Sequence, residues 1–467
     1  MPAGLLTPGE WLVLVEHELL LFAGFFFLIG ALDEFAVDLV WLWLRVTGRA
    51  RTVRLPPAAG SPAPLSGSAA VFIAAWREAG VIGATVRHTL SVWPQDDLRL
   101  YIGTYRNDPL TAEAVIAAAD NDPRLRLVIH DRDGPSTKAD CLNRIFRALE
   151  DDEVRGGVPT RMVVIHDAED MVDPAALGVL DTALEDVDLA QLPVLPEPLA
   201  QSRWIASHYC EEFAEAHGKA MVVRDALGTG IPTAGVGCAI RRGILTELAD
   251  RRGQDGPFAA ECLTEDYELG LGVTAMGGRS RFLRCRSADG RLVATRACFP
   301  ATIGSAVRQK TRWVHGIALQ SWDRLGWSAR PADIWMRLRD RRGPLTALVL
   351  ASAYLLLIVA AAGWLGHRFG LAPAVQVTTA VTVLVGVNLL SFAWRAVWRF
   401  AFTMREYGWV EGVRAVLRIP VANVIAILAG RRALFDYLAV LRGSAVRWEK
   451  TCHIVHPALR REARVGA

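Results

Sequence analysis

The chain has 467 residues, enough for one large domain or two ordinary ones. Hydrophobic residues make up 52%, and the mean hydropathy of +0.24 is high for a soluble protein, with the excess at the two ends. A net charge of +3, without a basic stripe interleaved with aromatics, excludes nucleic acid as the expected partner. Seven cysteines without a CxxC pair or zinc-like Cys/His spacing read as reduced packing residues of a cytoplasmic domain.

Residues 1–50 lack the basic segment of a cleavable signal, and Glu10, Glu16, His17 and Glu18 precede the main apolar run, Leu19 to Leu32. With Trp11 to Val15 in front, that run reaches the roughly 20 residues a span requires. The next stretch, DEFAVDLVWLWLRV, sets Asp33, Glu34 and Asp38 against Phe35, Val37, Leu39, Val40 and Leu42. This is the pattern of an amphipathic helix lying on a membrane surface. One long buried helix is the alternative. Residues 51–68, rich in Pro, Ala, Ser and Gly, form a linker.

From residue 69 to 335 the pattern becomes strand, turn, helix. AAVFIAA, LRLYIGTY, LRLVIHD and RMVVIHD are continuous apolar strands. VIGATVRHTL, TAEAVIAAAD and KADCLNRIFRALE are the helices between them. Such alternation predicts an α/β domain with a mostly parallel sheet. Ligands of these sheets bind at the carboxyl ends of the strands. Trp76, Glu78, Asn107, Asp108, Asp167, Glu169 and Asp170 stand there.

No GxGxxG or GxxxxGK[ST] cradle is present, so the substitute is HDAED. Carboxylates at i and i+2 after a strand can share a divalent cation, and Mg²⁺ and Mn²⁺ prefer such oxygens. Acidic residues there can equally cap the following helix, although Asp173-Pro174 looks more like that helix start. In LTEDYELG, Glu265 and Asp266 fall at a helix start. A carboxylate here can act as a general base or simply favour the helix dipole. In RQKTRW, Gln309, Arg312 and Trp313 share one helical face at i, i+3 and i+4. Arg can clamp a phosphate, and an indole can stack on a sugar. The alternative is a basic amphipathic helix at a membrane surface.

Two further spans run from about Leu345 to Leu365 and from about Val375 to Trp398. RLRDRR (337–342) before them, and Arg395, Arg399 and Arg405 after them, place both flanks in the cytoplasm. Val416 to Gly430, interrupted by Arg418 and Pro420, reads as interfacial or re-entrant. Residues 344–398 thus hold two spans, and residues 399–467 hold interfacial helices and a cytoplasmic tail. Three spans put residues 50–340 in the cytoplasm.

VFIAAWRE, STKADCLN, HDAED, GVGCAIRR, TED and QKTRW, in this order over roughly residues 70–325, resemble the membrane-integrated processive glycosyltransferases of family 2. That family includes cellulose, hyaluronan and poly-N-acetylglucosamine synthases, and QxxRW downstream of TED is the most specific match. GTYRNDP, EFAEAHGK, IPTAGVG and the late WEKTCHIVHP resemble its phage-adsorption branch more narrowly.

The resemblance implies a GT-A (Rossmann-like) fold, a UDP-sugar donor and Mg²⁺ or Mn²⁺. It implies that Ala74, Trp76, Glu78, Asp108 and Lys138 line the donor site. Asp167 would join them on the diphosphate, with Glu169 or Asp170 beside it as metal ligand. Asp266 would be the base. Gln309, Arg312, Trp313 and Glu265 would secure diphosphate and acceptor above a loop of Gly235, Val236, Gly237 and Cys238.

Two departures are visible: Glu169 replaces the second Asp of the metal-binding pair, and Asn107-Asp108 replaces an acidic doublet. No regulatory module follows the last helices, and RREAR near the C-terminus reads as a basic tail. The expectation is an inverting inner-membrane transferase moving a hexose or N-acetylhexosamine onto a growing polysaccharide. A lipid acceptor, or an inactive membrane scaffold, is the alternative. An outer-membrane export partner, cyclic-di-GMP control through another protein and homo-oligomerisation complete the expected partners.

Overall fold

The computed structural model describes residues 6–50, 52–57, 63–253, 256–373, 377–444 and 456–459. RREAR, Cys452 and residues 448–455 of WEKTCHIVHP lie outside the described residues. A seven-stranded sheet organises the middle of the chain. Its strands are β1 (Ser68–Ala74), β2 (Leu98–Tyr105), β3 (Leu125–His130), β4 (Thr160–Asp167), β5 (Leu189–Gln191), β6 (Cys238–Arg241) and β7 (Ser280–Phe282). The spatial order is β3-β2-β1-β4-β6-β5-β7, and β6 alone runs antiparallel to its neighbours.

The apolar runs predicted these strands because both faces are covered. Val71, Ile73, Leu100, Ile102, Met162 and Val164 pack against helices Ile82–Val92, Pro109–Ala119 and Ala176–Ala183. Ala70, Phe72, Tyr101, Val163 and Ile165 pack against Lys138–Gly156, Arg242–Arg252 and Glu265–Ala275. With neither face wet, no polar alternation survives in sequence. Ala74 pairs with Asp167, so β1 and β4 end side by side at one edge. The linker is not free: Val53–Arg54 pair with Cys285–Arg286, and Ser66 donates to Asp181 Oδ2. The six described cysteines are buried and unbridged, consistent with packing residues.

Among the described residues, three helices are long and apolar enough to cross a membrane: Pro8–Val46, Gly343–Arg368 and Thr379–Tyr407. Trp409–Leu417 and Ile419–Leu441 pass the same test only as a pair, bent by 51° at Arg418 and Pro420. The segment read as interfacial or re-entrant lies within this bent pair, whose break suits either a broken span or a re-entrant loop. The helices cross at small residues: a Cβ on Gly430 would meet Ala347 at 2.4 Å, and one on Gly24 would meet Leu384 at 2.8 Å.

The first helix corrects one expectation. No surface helix branches off after Leu32; a single 39-residue helix, roughly 58 Å long, continues to Val46. Its carboxylates do not need headgroup water, because distant residues satisfy them. Asp33 accepts from Trp335 Nε1 (2.6 Å) and Arg342 (2.6 Å), and Glu34 pairs with Arg339 (2.9 Å) and Arg395 (3.0 Å). Asp38, fully buried, takes Lys219 Nζ at 2.5 Å and Trp394 Nε1 at 2.8 Å. Lys219 also reaches Glu215 at 2.8 Å.

A second buried cluster lies nearby. Arg418 and Glu211, both without exposure, pair at 2.9 Å, and Arg399 joins Glu211 at 3.1 Å. These pairs fasten His208–Ala226 of the α/β domain to the apolar helices.

Removing one partner of such a pair strands a buried charge, at a cost of about 3–5 kcal/mol. Lys219→Met should therefore lower the unfolding midpoint of detergent-solubilised protein markedly. Arg251→Ala, which breaks an exposed i,i+4 pair with Glu247, should leave it nearly unchanged. Thermal unfolding of both variants tests this, and equal midpoints would show the junction is not needed for stability.

Candidate active site

A cavity of 470 Å³ opens at the shared edge of β1 and β4 and runs toward the apolar helices. Ala74, Trp76, Glu78, Lys138, Asp167, Glu169, Asp170, Val236, Glu265, Asp266, Gln309, Arg312 and Trp313 all line it. Residues more than 230 positions apart in sequence thus share one wall. β1 delivers Ala74 and the turn after it delivers Trp76 and Glu78. β4 delivers Asp167, and the loop beyond it delivers Glu169.

Lys138 is at the centre. Thr137 caps its helix by accepting from the Asp140 N–H, which aims Lys138 inward. Its ammonium lies 2.5 Å from Asp167 Oδ1 and 3.9 Å from Glu265 Oε1, and donates to the Gly235 carbonyl at 3.1 Å. Burial works against its charge, but Asp167, Glu265 and Asp266 outweigh that and hold its pKa above the usual lysine range.

Helix Glu265–Ala275 starts at Thr264 without a side-chain cap, and Asp266 Oδ1 instead accepts the Tyr267 N–H at 2.7 Å. Burial raises both carboxyls, Glu265 to about 7; Lys138 opposes this in each case, and Asp266 adds to it for Glu265. Gly235, at φ +72°, lets the backbone press on Asp266, and a Cβ there would lie 2.8 Å from Oδ2.

Helix Ile303–Trp313 carries Gln309, Arg312 and Trp313 on its cavity face, as the spacing requires. Trp313 completes an aromatic wall with Tyr209 (6.0 Å, edge-on), Phe213 (6.3 Å, edge-on) and Phe299, which lies 5.2 Å from Phe213. The end of the cavity beside the apolar helices is therefore apolar and aromatic.

Several expected site residues stand outside the cavity or have their polar atoms committed to other contacts. Asp108 does not reach the cavity: its Oδ2 accepts the Arg77 N–H at 2.5 Å and steadies a left-handed turn at φ +53°. Asp170 has Oδ2 committed to His166 Nδ1 (3.0 Å) and the Asp167 N–H (2.8 Å), which turns that oxygen back into the loop. Of the loop expected beneath the acceptor, only Val236 lines the cavity. Gly235 packs on Asp266, Gly237 packs on Thr295, and Cys238 is buried at the start of β6.

Other contributors went unnoticed in the sequence. Gln191, fully buried, accepts the Ala234 N–H and donates to the Val236 carbonyl, both at 2.9 Å, and so shapes that loop. A lone Gln inside the apolar DLAQLPV was its available signal. Asp340 closes another side, accepting Tyr267 OH (2.8 Å) and a bidentate Arg224 (2.9 and 2.6 Å). Inside RLRDRR it reads only as part of a basic flank.

Asp167 and Glu169 fit a Mg²⁺ or Mn²⁺ ion of the kind that keeps one or two carboxylates and takes its other oxygens from substrate phosphate and water. No cluster of three or more His, Cys, Asp or Glu able to hold a metal alone occurs among the described residues.

Together, strand-end carboxylates, the buried Glu265–Asp266 pair and the helix bearing Arg312 and Trp313 surround one cavity. The family described as "Glycosyltransferase like family 2" matches residues 67–316, and the chain belongs to it. It is 31% identical over 451 residues to bacteriophage adsorption protein B of Escherichia coli (strain K12) and to bacteriophage N4 adsorption protein B of Escherichia coli O157:H7. The alignments cover 91% of this chain and 60% of each relative, so it spans about 60% of their length. Its fold is similar to that of a mannosyltransferase from Pyrobaculum calidifontis solved with GDP-mannose and Mn²⁺. The TM-score is 0.55 at 18% identity, over 91% of this chain and 99% of that one. The α/β domain is a GT-A glycosyltransferase domain.

Asp266 must be ionised to accept a proton, and burial holds its carboxyl above the usual aspartate range. Turnover should therefore rise with pH through an acid limb displaced upward from that range and level off above it. Glu265→Gln removes the neighbouring carboxyl raised to about 7, so a limb that belongs to Asp266 should persist in this variant. A pH–rate profile of nucleotide release checks this, and loss of the limb would assign it to Glu265.

Proposed function

We propose that this protein is an inverting glycosyltransferase of the bacterial inner membrane that moves a sugar from a UDP-sugar onto a growing envelope or secreted polysaccharide. One observation carries the reading. Asp266 and Glu265 face Asp167 across Lys138 in the same cavity that Arg312 and Trp313 line at its membrane-directed end.

In this reading the donor diphosphate lies at the β1/β4 edge. A divalent cation, when bound with the donor, neutralises diphosphate charge and eases departure of the leaving group. Asp167 and Glu169 would hold that ion, and Asp170 fixes the loop that presents them. Glu78 and Trp76 bound the nucleotide side. Arg312 and Lys138 offset the charge that develops on the leaving diphosphate. The acceptor hydroxyl attacks the anomeric carbon in a single displacement while Asp266 takes its proton. Trp313 holds the acceptor sugar's C–H face.

The neighbour's GDP-mannose makes a GDP-sugar the competing donor, and a donor screen by nucleotide release separates the two. A second reading, transfer onto a lipid-linked acceptor, draws on the aromatic wall of Phe213, Phe299 and Trp313 and on the small number of membrane-length helices. Product length separates it from polymer synthesis. The relatives' names connect this architecture to phage adsorption, so a scaffold role in the envelope is the third reading, and absence of nucleotide release from every donor would favour it.

Asp266→Asn keeps size and removes the proton acceptor. Turnover should fall by about 10²-fold or more, while Mn²⁺-dependent nucleotide binding survives. Near-normal turnover would reassign the base.

Trp313→Ala should reduce sugar transfer to the acceptor far more than donor hydrolysis by water, because a misplaced hydroxyl can cost about 10²-fold. The ratio of product extension to nucleotide release, at matched membrane abundance, is the measurement. An unchanged ratio would leave Trp313 as an interfacial anchor, with Trp313→Phe then restoring abundance.

A further inference from the structure

The late stretch WEKTCHIVHP has no part in the mechanism above, yet its described end returns to the active site. His456 is fully buried. Its Nδ1 accepts the Ala458 N–H at 3.1 Å, so the ring proton resides on Nε2. Nε2 donates to the Asp170 carbonyl at 3.0 Å.

That carbonyl belongs to a series along the loop after β4. Thr85 Oγ1 donates to the Ala168 carbonyl at 2.5 Å, His88 Nε2 to Val172 at 2.9 Å, and Trp93 Nε1 to Asp173 at 3.1 Å. Three of these donors come from Ile82–Val92 and the residue after it, within the α/β domain. The fourth comes from 286 residues downstream of Asp170, beyond the last membrane-length helix.

We infer that His456 is a positioning residue for the Asp167–Asp170 loop. It clamps the loop from behind, so binding of a divalent cation and nucleoside diphosphate depends on His456 being seated. The clamp follows from geometry: with Nε2 removed, the Asp170 carbonyl loses a buried partner, and the same residue's carboxylate orients Asp167 through its backbone N–H. The functional consequence rests on the reading of this loop as the cation and diphosphate site.

The test uses full-length protein in detergent as parent, His456→Ala, His456→Phe and His456→Gln. Ala and Phe differ in packing, but both lack the donor. The Gln amide can donate to the same carbonyl. Hydrogen exchange of peptides spanning residues 167–173 reads the clamp directly. Affinities for UDP and GDP, each with and without Mn²⁺, read its consequence.

Ala and Phe should both accelerate exchange in the loop and weaken Mn²⁺-dependent nucleotide binding by about tenfold, the scale of one buried hydrogen bond. Metal-free binding and the unfolding midpoint should hold, and Gln should recover most of the loss. Unchanged loop exchange in Ala and Phe overturns the inference. So does an equal loss with and without Mn²⁺, or a loss that Gln shares in full. A parent that binds neither nucleotide in a metal-dependent way defeats the assignment of the loop, while the exchange measurement still decides the clamp.

Discussion

Lys219 and Asp38 meet at 2.5 Å with almost no exposure, and much of the architecture depends on that pair. Neither charge could stay buried without the other. Asp38 comes from the first long helix, Lys219 from the α/β domain, and Trp394 and Arg395 from a third helix complete the set. A buried network of this kind is weak as a source of net stability, but it permits only one way of docking. With the Arg418–Glu211 pair beside it, it fixes the transferase domain against the apolar helices. Helix Ile303–Trp313 is thereby held between the sheet edge and those helices.

That fixed docking decides what the cavity can do. The β1/β4 edge supplies carboxylates, as the open end of a parallel sheet commonly does. Lys138 keeps those carboxylates from repelling one another, at 2.5 Å from Asp167 and 3.9 Å from Glu265. The opposite end is aromatic because it is built from residues that face the helices: Phe213, Phe299 and Trp313. In the proposed function, the polar end of this cavity takes the charged donor and the aromatic end takes the acceptor.

The site is also built from more of the chain than its motif-bearing middle. Glu34 and Asp38 of the first helix anchor, through Lys219, the segment that bears Phe213 and His217. Asp340 closes the cavity from a helix just before the second long apolar one. The end of the described chain touches the Asp167–Asp170 loop. Catalytic domain and helices therefore form one cooperative structure rather than an enzyme on an anchor.

Alternating apolar strands and helices, the strand-end carboxylates, the Glu265–Asp266 helix start and the common face of Gln309, Arg312 and Trp313 were all legible in the sequence. Each depends on spacing within a single element, and the apolar period or the helical turn sets it. The three long apolar helices were legible for the same reason, since length and composition are local properties. Other features depend on partners far along the chain. The first helix runs unbroken because Arg339, Arg342 and Lys219 satisfy carboxylates that alone suggest a wet surface. Asp108 serves a turn rather than the cavity because Arg77 presents its N–H there. Asp170 turns an oxygen inward because His166 and the loop backbone take it. Gln191, Asp340 and His456 matter only through contacts across dozens to hundreds of residues, which no local pattern records. Spacing along the chain fixed which residues could share a face, whereas burial and long-range pairing of charges decided which of them reach the cavity.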